Sequence, residues 1–298
     1  MSSAPKAAES DQRKPVTVPS LLARKQRGEP IVMVTAYDYP SARAAERAAV
    51  DIVLVGDSAA TTVLGYDGTT TQITMAEMVM LAKAVRRGLR TPLLVGDLPF
   101  GSYEVSDEQA VATAIRYVRE AGCDVVKLEG GGAMSVARAK AIVDAGIPVM
   151  GHVGLTPQTA TALGGWRAQG RSADAALEIA RGAKALQDAG CFSIVFEAVP
   201  SPVTEAIVTT LTIPVIGIGA GPSADGQVLV FHDLLGIRDG VGAKFVKRYA
   251  DLQDAMDAGV TEYADDVRNR RYPAAEHGYA ADPEMVAELQ RRLAEQPA

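Results

Sequence analysis

Seven polar residues stand at the ends of short apolar runs, and together their types can do chemistry: Asp57, Ser58, Asp97, Lys127, Glu129, His152 and Glu197. Burying four carboxylates near one another is costly unless a cation joins them. Oxygen donors with few histidines match Mg2+ rather than zinc. Lys127 and Glu129 flank Leu128, so the two-residue period of a strand puts both on one face. Rival readings accompany each residue. An Asp at a strand end is commonly a helix N-cap, although neither Asp57 nor Asp97 is followed at once by a helix signal. Glu129 is also placed to accept N–H bonds from 130–132, Lys127 to be its counterion, and His152 to be a satisfied structural histidine. Asp38, after the first run, is less securely placed. His232 and His277 lack this context and read as structural or exposed.

The elements that must position these groups are visible as periodicity. Eight apolar, β-rich runs recur at 31–34, 52–55, 93–95, 125–128, 148–150, 192–196, 214–218 and 228–231. Most are apolar on both faces, as buried parallel strands are. Helical patterns separate them, near 39–49, 74–85, 106–121, 132–145, 172–189 and 202–211. Thr74 with Glu77 and Ser106 with Gln109 read as capping boxes. Gly122, Gly146 and Gly190 each follow Ala at a helix end and turn the chain into a strand. Strands alternating with helices predict a single-domain α/β fold, a (β/α)8 TIM barrel ahead of its rival, an open doubly wound sheet. Only a loop, 219–227, parts the last two strands, so the helix there is short or missing. The Thr- and Gly-rich stretch 59–73 reads as an active-site hairpin. Residues 1–15 read as a flexible N-terminal tail without the apolar stretch of a signal peptide, and 16–298 as the barrel domain with a helical C-terminal tail. That tail reads as a helix over about 251–269 and a last one from Asp282-Pro283. In barrels of this kind the active site lies at the C-terminal strand ends, where the seven polar residues fall.

Composition narrows the function classes. The 298 residues are 48% apolar, which excludes a disordered chain, a collagen repeat and a disulfide scaffold. Thirty basic against 36 acidic residues give a net charge of −6, which argues against a nucleic-acid partner. Cys123 and Cys191 form no C-x-x-C pair and read as buried thiols of a cytoplasmic protein. No apolar run is long enough to span a membrane. The segment 217–221, Gly-Ile-Gly-Ala-Gly, is a candidate phosphate cradle but not a dinucleotide fingerprint.

Nine segments carry a resemblance: VTAYDYPSA (34–42), VGDSAATTVLGYDGTT (55–70), TMAEM (74–78), GDLPFGSY (96–103), VKLEGG (126–131), GHVGLTPQ (151–158), FEAVP (196–200), PVIGIGAGP (214–222) and DGQVLVFHDLLGI (225–237). In order and spacing, from about 15 to 270, the chain resembles the ketopantoate hydroxymethyltransferase family. The resemblance implies transfer of a hydroxymethyl group from 5,10-methylenetetrahydrofolate to 3-methyl-2-oxobutanoate through a Mg2+-stabilised enolate, giving ketopantoate for pantothenate and coenzyme A. It implies that Asp57, Asp97 and Glu129 hold the metal, with Glu129 bound directly or through water. It further implies that Ser58 and Lys127 hold the substrate carboxylate, that His152 contacts the added hydroxymethyl oxygen, and that Glu197 accepts the proton. It also implies a homo-oligomer, a decamer. Two other functions fit the rim. One is a Mg2+-dependent keto-acid enolate lyase of the phosphoenolpyruvate mutase type, which commonly uses a loop cysteine that neither Cys123 nor Cys191 supplies. The other is a noncatalytic phosphate-ligand binder using 217–221.

Overall fold

A computed structural model describes residues 13–240 and 242–295. Most of the predicted tail, residues 1–12, lies outside the described residues. The chain divides into two compact units, one ending at Tyr249 and one beginning at Ala250.

In the first unit α1 (Val18–Arg27) precedes β1 (Ile31–Thr35), α2 (Tyr39–Arg47), β2 (Ile52–Val55), a single turn α3 (Ala59–Thr62), α4 (Met75–Gly88) and β3 (Leu93–Asp97). There follow α5 (Asp107–Arg116), β4 (Val125–Lys127), α6 (Ala133–Asp144), β5 (Val149–Gly154), α7 (Ala173–Asp188), β6 (Ser193–Glu197), α8 (Ser201–Val208), β7 (Val215–Ile218), β8 (Gly226–Leu229) and the short α9 (Phe231–Leu235). The strands close in chain order into a parallel barrel, β8 returning to β1 with Ile31 opposite Gly226. This is the expected (β/α)8 barrel, and no helix separates β7 from β8. In the second unit α10 (Leu252–Arg268) and α11 (Pro283–Ala294) match the two expected tail helices, and Asp282 caps the latter through the Glu284 N–H at 2.9 Å.

Local chemistry sets the element ends. Thr74 and Glu77 exchange both arms of their capping box. Ser106 accepts the Gln109 N–H at 3.2 Å, but the return arm of that box is missing. The Gln109 amide instead bonds the Val105 N–H and the Gly101 carbonyl, because the preceding loop offers it two unpaired backbone groups. Asp38 caps α2 by accepting the Ser41 N–H at 2.8 Å, so its role is structural. Gly122, Gly146 and Gly190 all adopt the left-handed conformation predicted for helix stops, at φ +71°, +89° and +97°. The hairpin expected over 59–73 does not form. The stretch opens with α3 and continues as turns, since Ala59 and Ala60 are buried and the chain coils to bury them. The last strand ends at Leu229, two residues before the predicted end, and Phe231 opens α9.

The core has two layers. Between sheet and helices lie Val34, Val53, Met78, Leu94, Tyr117, Val126, Leu186 and Phe196. Inside the barrel Ile31, Met33, Ile52, Leu54, Leu93, Val95, Val125, Met150, Val195, Ile216 and Val228 interlock, with the fully buried Leu21 of α1 packed among them. Helix α1 is therefore a plug. Its end of the barrel also holds Asp51, just ahead of β2, which accepts from Arg13 at 2.6 Å, Arg24 at 3.0 Å and the Val32 N–H at 3.0 Å. Removing one partner of a buried ion pair leaves the other uncompensated. Asp51→Ala is expected to cost about 3 kcal/mol of stability, read as a lowered urea midpoint with an unchanged denaturant slope.

Candidate active site

Strand parity builds the site. Val95, Val125, Met150 and Val195 point into the barrel, and two residues farther along the same strands stand Asp97, Lys127, His152 and Glu197. Glu129 continues the inward series one step beyond Lys127. The register sets Asp97 beside Lys127 and Gly154 beside Glu197. Asp57 and Ser58 follow β2. The sequence-predicted residues therefore converge: all seven line one cavity of about 990 Å³ at the C-terminal end of the barrel. Segment 217–221 contributes Gly219 and Gly221 to the same cavity.

Asp97 is held from behind. A Cβ on Gly96 would lie 2.5 Å from the Tyr117 ring, so a bare backbone lets that ring lie against β3. The Tyr117 hydroxyl then donates to the Asp97 carbonyl at 2.5 Å. The Asp97 side chain accepts from Lys127 Nζ at 2.7 Å and from the Asp57 N–H at 3.2 Å. Lys127 Nζ also lies 3.8 Å from Glu129.

One lysine thus faces three buried carboxylates. Burial alone would lower the lysine, but Asp97, Glu129 and Asp57 together hold it above its ordinary value, so it stays charged. Burial, reinforced by Asp57, pushes Asp97 up from 3.8 to about 7, against the pull of Lys127. Glu129 is raised well above the carboxylate range by burial and by Asp57, Asp97 and Glu197, which outweigh Lys127. The two directions agree physically: with one cation for three acids, the excess negative charge appears as affinity for protons. A divalent cation meets the same demand. Among the described residues no three His, Cys, Asp or Glu side chains form a metal cage by themselves. Mg2+ takes one or two carboxylates and completes its shell with water and substrate oxygens, and Asp57 and Asp97, which both line the cavity, are residues that could hold such an ion.

His152 is 2% exposed, and among the described residues its Nδ1 and Nε2 complete no hydrogen bond. Glu129 lies 3.6 Å from Nδ1 and Glu197 3.4 Å from Nε2. Burial and the charge of Lys127 lower its pKa, so the imidazole is neutral. Two unpaired buried ring nitrogens aimed between two carboxylates mark a place for a polar ligand. The Ser58 hydroxyl meets Tyr37 Oη at 2.8 Å and makes no capping bond to α3, which leaves it available to the cavity.

Sequence reasoning missed Gln158 and Tyr103. The Gln158 amide donates to Asp57 at 3.0 Å and to the Leu98 carbonyl at 2.9 Å, and accepts from the Tyr103 hydroxyl at 2.7 Å. Its backbone N–H donates to Glu129 at 3.0 Å. One buried residue therefore ties two of the carboxylates together. Both residues lie in loops without charge or periodicity, and the one signal was their place in the quoted segments. Cys123 and Cys191 precede β4 and β6, away from this rim, and burial pushes each thiol to about 12.

The sequence profile of the ketopantoate hydroxymethyltransferase family matches residues 15–275. The chain belongs to this family. It is an enzyme of the hydroxymethyltransferase kind, as its curated relatives are named. The 3-methyl-2-oxobutanoate hydroxymethyltransferase of Moorella thermoacetica is 53% identical over 268 residues, covering 90% of this chain and 99% of the relative. The mitochondrial 3-methyl-2-oxobutanoate hydroxymethyltransferase 1 of Arabidopsis thaliana is 51% identical over 278 residues, 92% of this chain and 79% of the relative. Among solved structures, a phosphonopyruvate hydrolase in complex with oxalate and Mg2+ superposes with a TM-score of 0.56 at 14% identity, covering 94% of this chain and 96% of that one. That likeness, at so low an identity, shows the fold alone, and it agrees with the closed barrel. No described helix is long and apolar enough to cross a membrane.

Two outcomes test this geometry. A carboxylate raised in the folded state contributes stability below its unfolded pKa and loses it as pH rises through the folded one. Metal-free protein is therefore expected to lose the Asp97 contribution between pH 3.8 and about 7, and the melting temperatures of wild type and Asp97→Asn should diverge across that window. Gln158→Met strands Tyr103 and Asp57 without their amide partner. It is expected to weaken Mg2+ binding about 10- to 100-fold by calorimetry, with the far-ultraviolet spectrum intact.

Proposed function

We propose that this chain transfers a hydroxymethyl group from 5,10-methylenetetrahydrofolate to 3-methyl-2-oxobutanoate, giving ketopantoate for pantothenate and coenzyme A synthesis. The observation that carries the reading is the joint one: carboxylates in excess of their lone cation at a barrel mouth, in a chain half-identical to enzymes named for that substrate. Bound Mg2+ would act as a Lewis acid on the keto and carboxylate oxygens and stabilise the enolate. Asp57 and Asp97 would hold it, with Glu129, already tied to the Gln158 N–H, beside them to complete the shell directly or through water. The Mg2+ and oxalate named with the phosphonopyruvate hydrolase support that choice of ion and of ligand shape.

The chain's own groups divide the remaining work. Lys127, fixed by Asp97, neutralises the substrate carboxylate, and Ser58 donates to it. Glu197 accepts the C3 proton. It ends β6 mostly buried, beside the neutral His152, and faces the cavity where the substrate would lie. The methylene bridge opens by breaking its bond to N10, which takes a proton, and leaves an iminium at N5; the electron pair released at C3 adds to that carbon. Water then displaces N5 and supplies the hydroxyl oxygen, and tetrahydrofolate departs with the second proton. His152, with a ring nitrogen unpaired on each side, hydrogen-bonds the new hydroxymethyl oxygen. We further propose a homo-oligomer and a cytoplasmic site of action.

The test is product formation. With Mg2+, keto acid and methylenetetrahydrofolate, wild type is expected to form ketopantoate, and Glu197→Gln to lose at least about 10²-fold in kcat. Without folate, wild type should exchange the C3 proton for deuterium and Glu197→Gln should not. Undiminished exchange in the variant would take the base role from Glu197. Absence of ketopantoate with wild type would overturn the reading.

A further inference from the structure

The cavity is larger than a small keto acid needs. At about 990 Å³ it reaches the top of the roughly 300–1,000 Å³ range that encloses a drug-sized ligand. Its floor is the buried charge cluster. Its exposed wall carries different chemistry, in Trp166, Arg167, Lys244 and Phe245.

Trp166 is the single tryptophan of a chain with only 5% aromatic residues, and it is 58% exposed. Indole left in water on a cavity wall is apolar area awaiting a partner. Phe245 is 39% exposed and seated on the chain after β7. A Cβ on Gly219 would stand 2.5 Å from the Phe245 ring, and Gly219 is left-handed at φ +63°. Glycine at 219 thus serves to admit an aromatic ring.

The two cations beside these rings are uncommitted. Arg167 donates Nε to its neighbouring Leu163 carbonyl at 3.3 Å and, among the described residues, meets no carboxylate. Lys244 makes no ion pair among the described residues. Arg238, which also lines the cavity, is by contrast paired with Asp233 at 2.5 Å. The wall therefore presents two open cations with two aromatic faces, above a floor of opposite sign. That combination recognises a planar heterocycle carrying a carboxylate tail.

We propose that Trp166 and Phe245 stack the heterocycle of the folate cosubstrate and that Arg167 and Lys244 pair with its glutamyl carboxylates. The proposal rests on the folate-dependent reading above and adds where that ligand sits. It places the methylene donor across the mouth, over the keto acid on the floor. The cations are exposed, so their contribution falls with salt.

The sole tryptophan makes the wall its own reporter. Tryptophan fluorescence is titrated with 5-formyltetrahydrofolate and its tri-γ-glutamate, in the presence of Mg2+ and keto acid. Saturable quenching is expected. The double variant Arg167→Ala/Lys244→Ala should weaken triglutamate binding about tenfold, or ~1.4 kcal/mol, and weaken the monoglutamate less. Lys184→Ala, an exposed cation on α7, serves as the charge control. In turnover, the double variant should raise the KM for methylenetetrahydrofolate about tenfold and that for keto acid less than about twofold. Unquenched fluorescence, or a double variant that binds the triglutamate as wild type does, overturns the proposal. If wild type still makes ketopantoate in that case, the folate-dependent reading stands and the subsite alone is wrong. If wild type makes none, both fall.

Discussion

The interaction on which the rest of the structure depends is the contact of Lys127 with Asp97, 2.7 Å long and almost wholly withdrawn from water. Among the described residues it is the only cationic contact that buried carboxylate makes, and two more acids crowd the same space. Such a cluster cannot rest in a low-dielectric interior with all its charges in place. Several surrounding features answer that stress. Tyr117 grips the Asp97 backbone, the Asp57 N–H turns toward the Asp97 side chain, and Gln158 spans from Asp57 to Glu129. The site is preorganised by groups that do not themselves react, and the remaining charge imbalance is what makes it receptive to a cation.

The two ends of the barrel show the same chemistry used oppositely. Near α1, Asp51 is matched by two arginines and a backbone amide, and Asp225 by Lys25 at 2.7 Å and the Val215 N–H at 2.8 Å. Those carboxylates are satisfied and serve stability. At the other end Glu129 meets one amide and a distant ammonium, and among the described residues the His152 ring has no hydrogen-bond partner. A buried acid is informative only together with its partners, and incomplete pairing separates a reactive end from a structural one.

Strand parity explains how much could be read in advance. Lys127 and Glu129 flank a leucine in the sequence and flank it in space, because a strand repeats every two residues. Asp97, His152 and Glu197 were legible for the same reason, each two positions beyond an apolar residue that fills the barrel. What escaped was set by loops. Gln158 follows β5 in a short 3-10 turn, and no periodicity fixes where its amide points. The stretch 59–73 has the Thr and Gly of a hairpin, yet buried Ala59 and Ala60 wind its start into a helix. Gln109 had the spacing of a capping arm but found nearer partners in the loop before it.

Helix α1 has one more consequence. With Leu21 wedged among the interior side chains, the barrel is a vessel closed at its base. Everything that reaches the charged floor passes the same opening, and everything that leaves goes back through it. On the proposed reading, the keto acid and its larger cosubstrate would share that opening, so the plug, far from the reacting groups, confines the traffic of both to one side of the barrel.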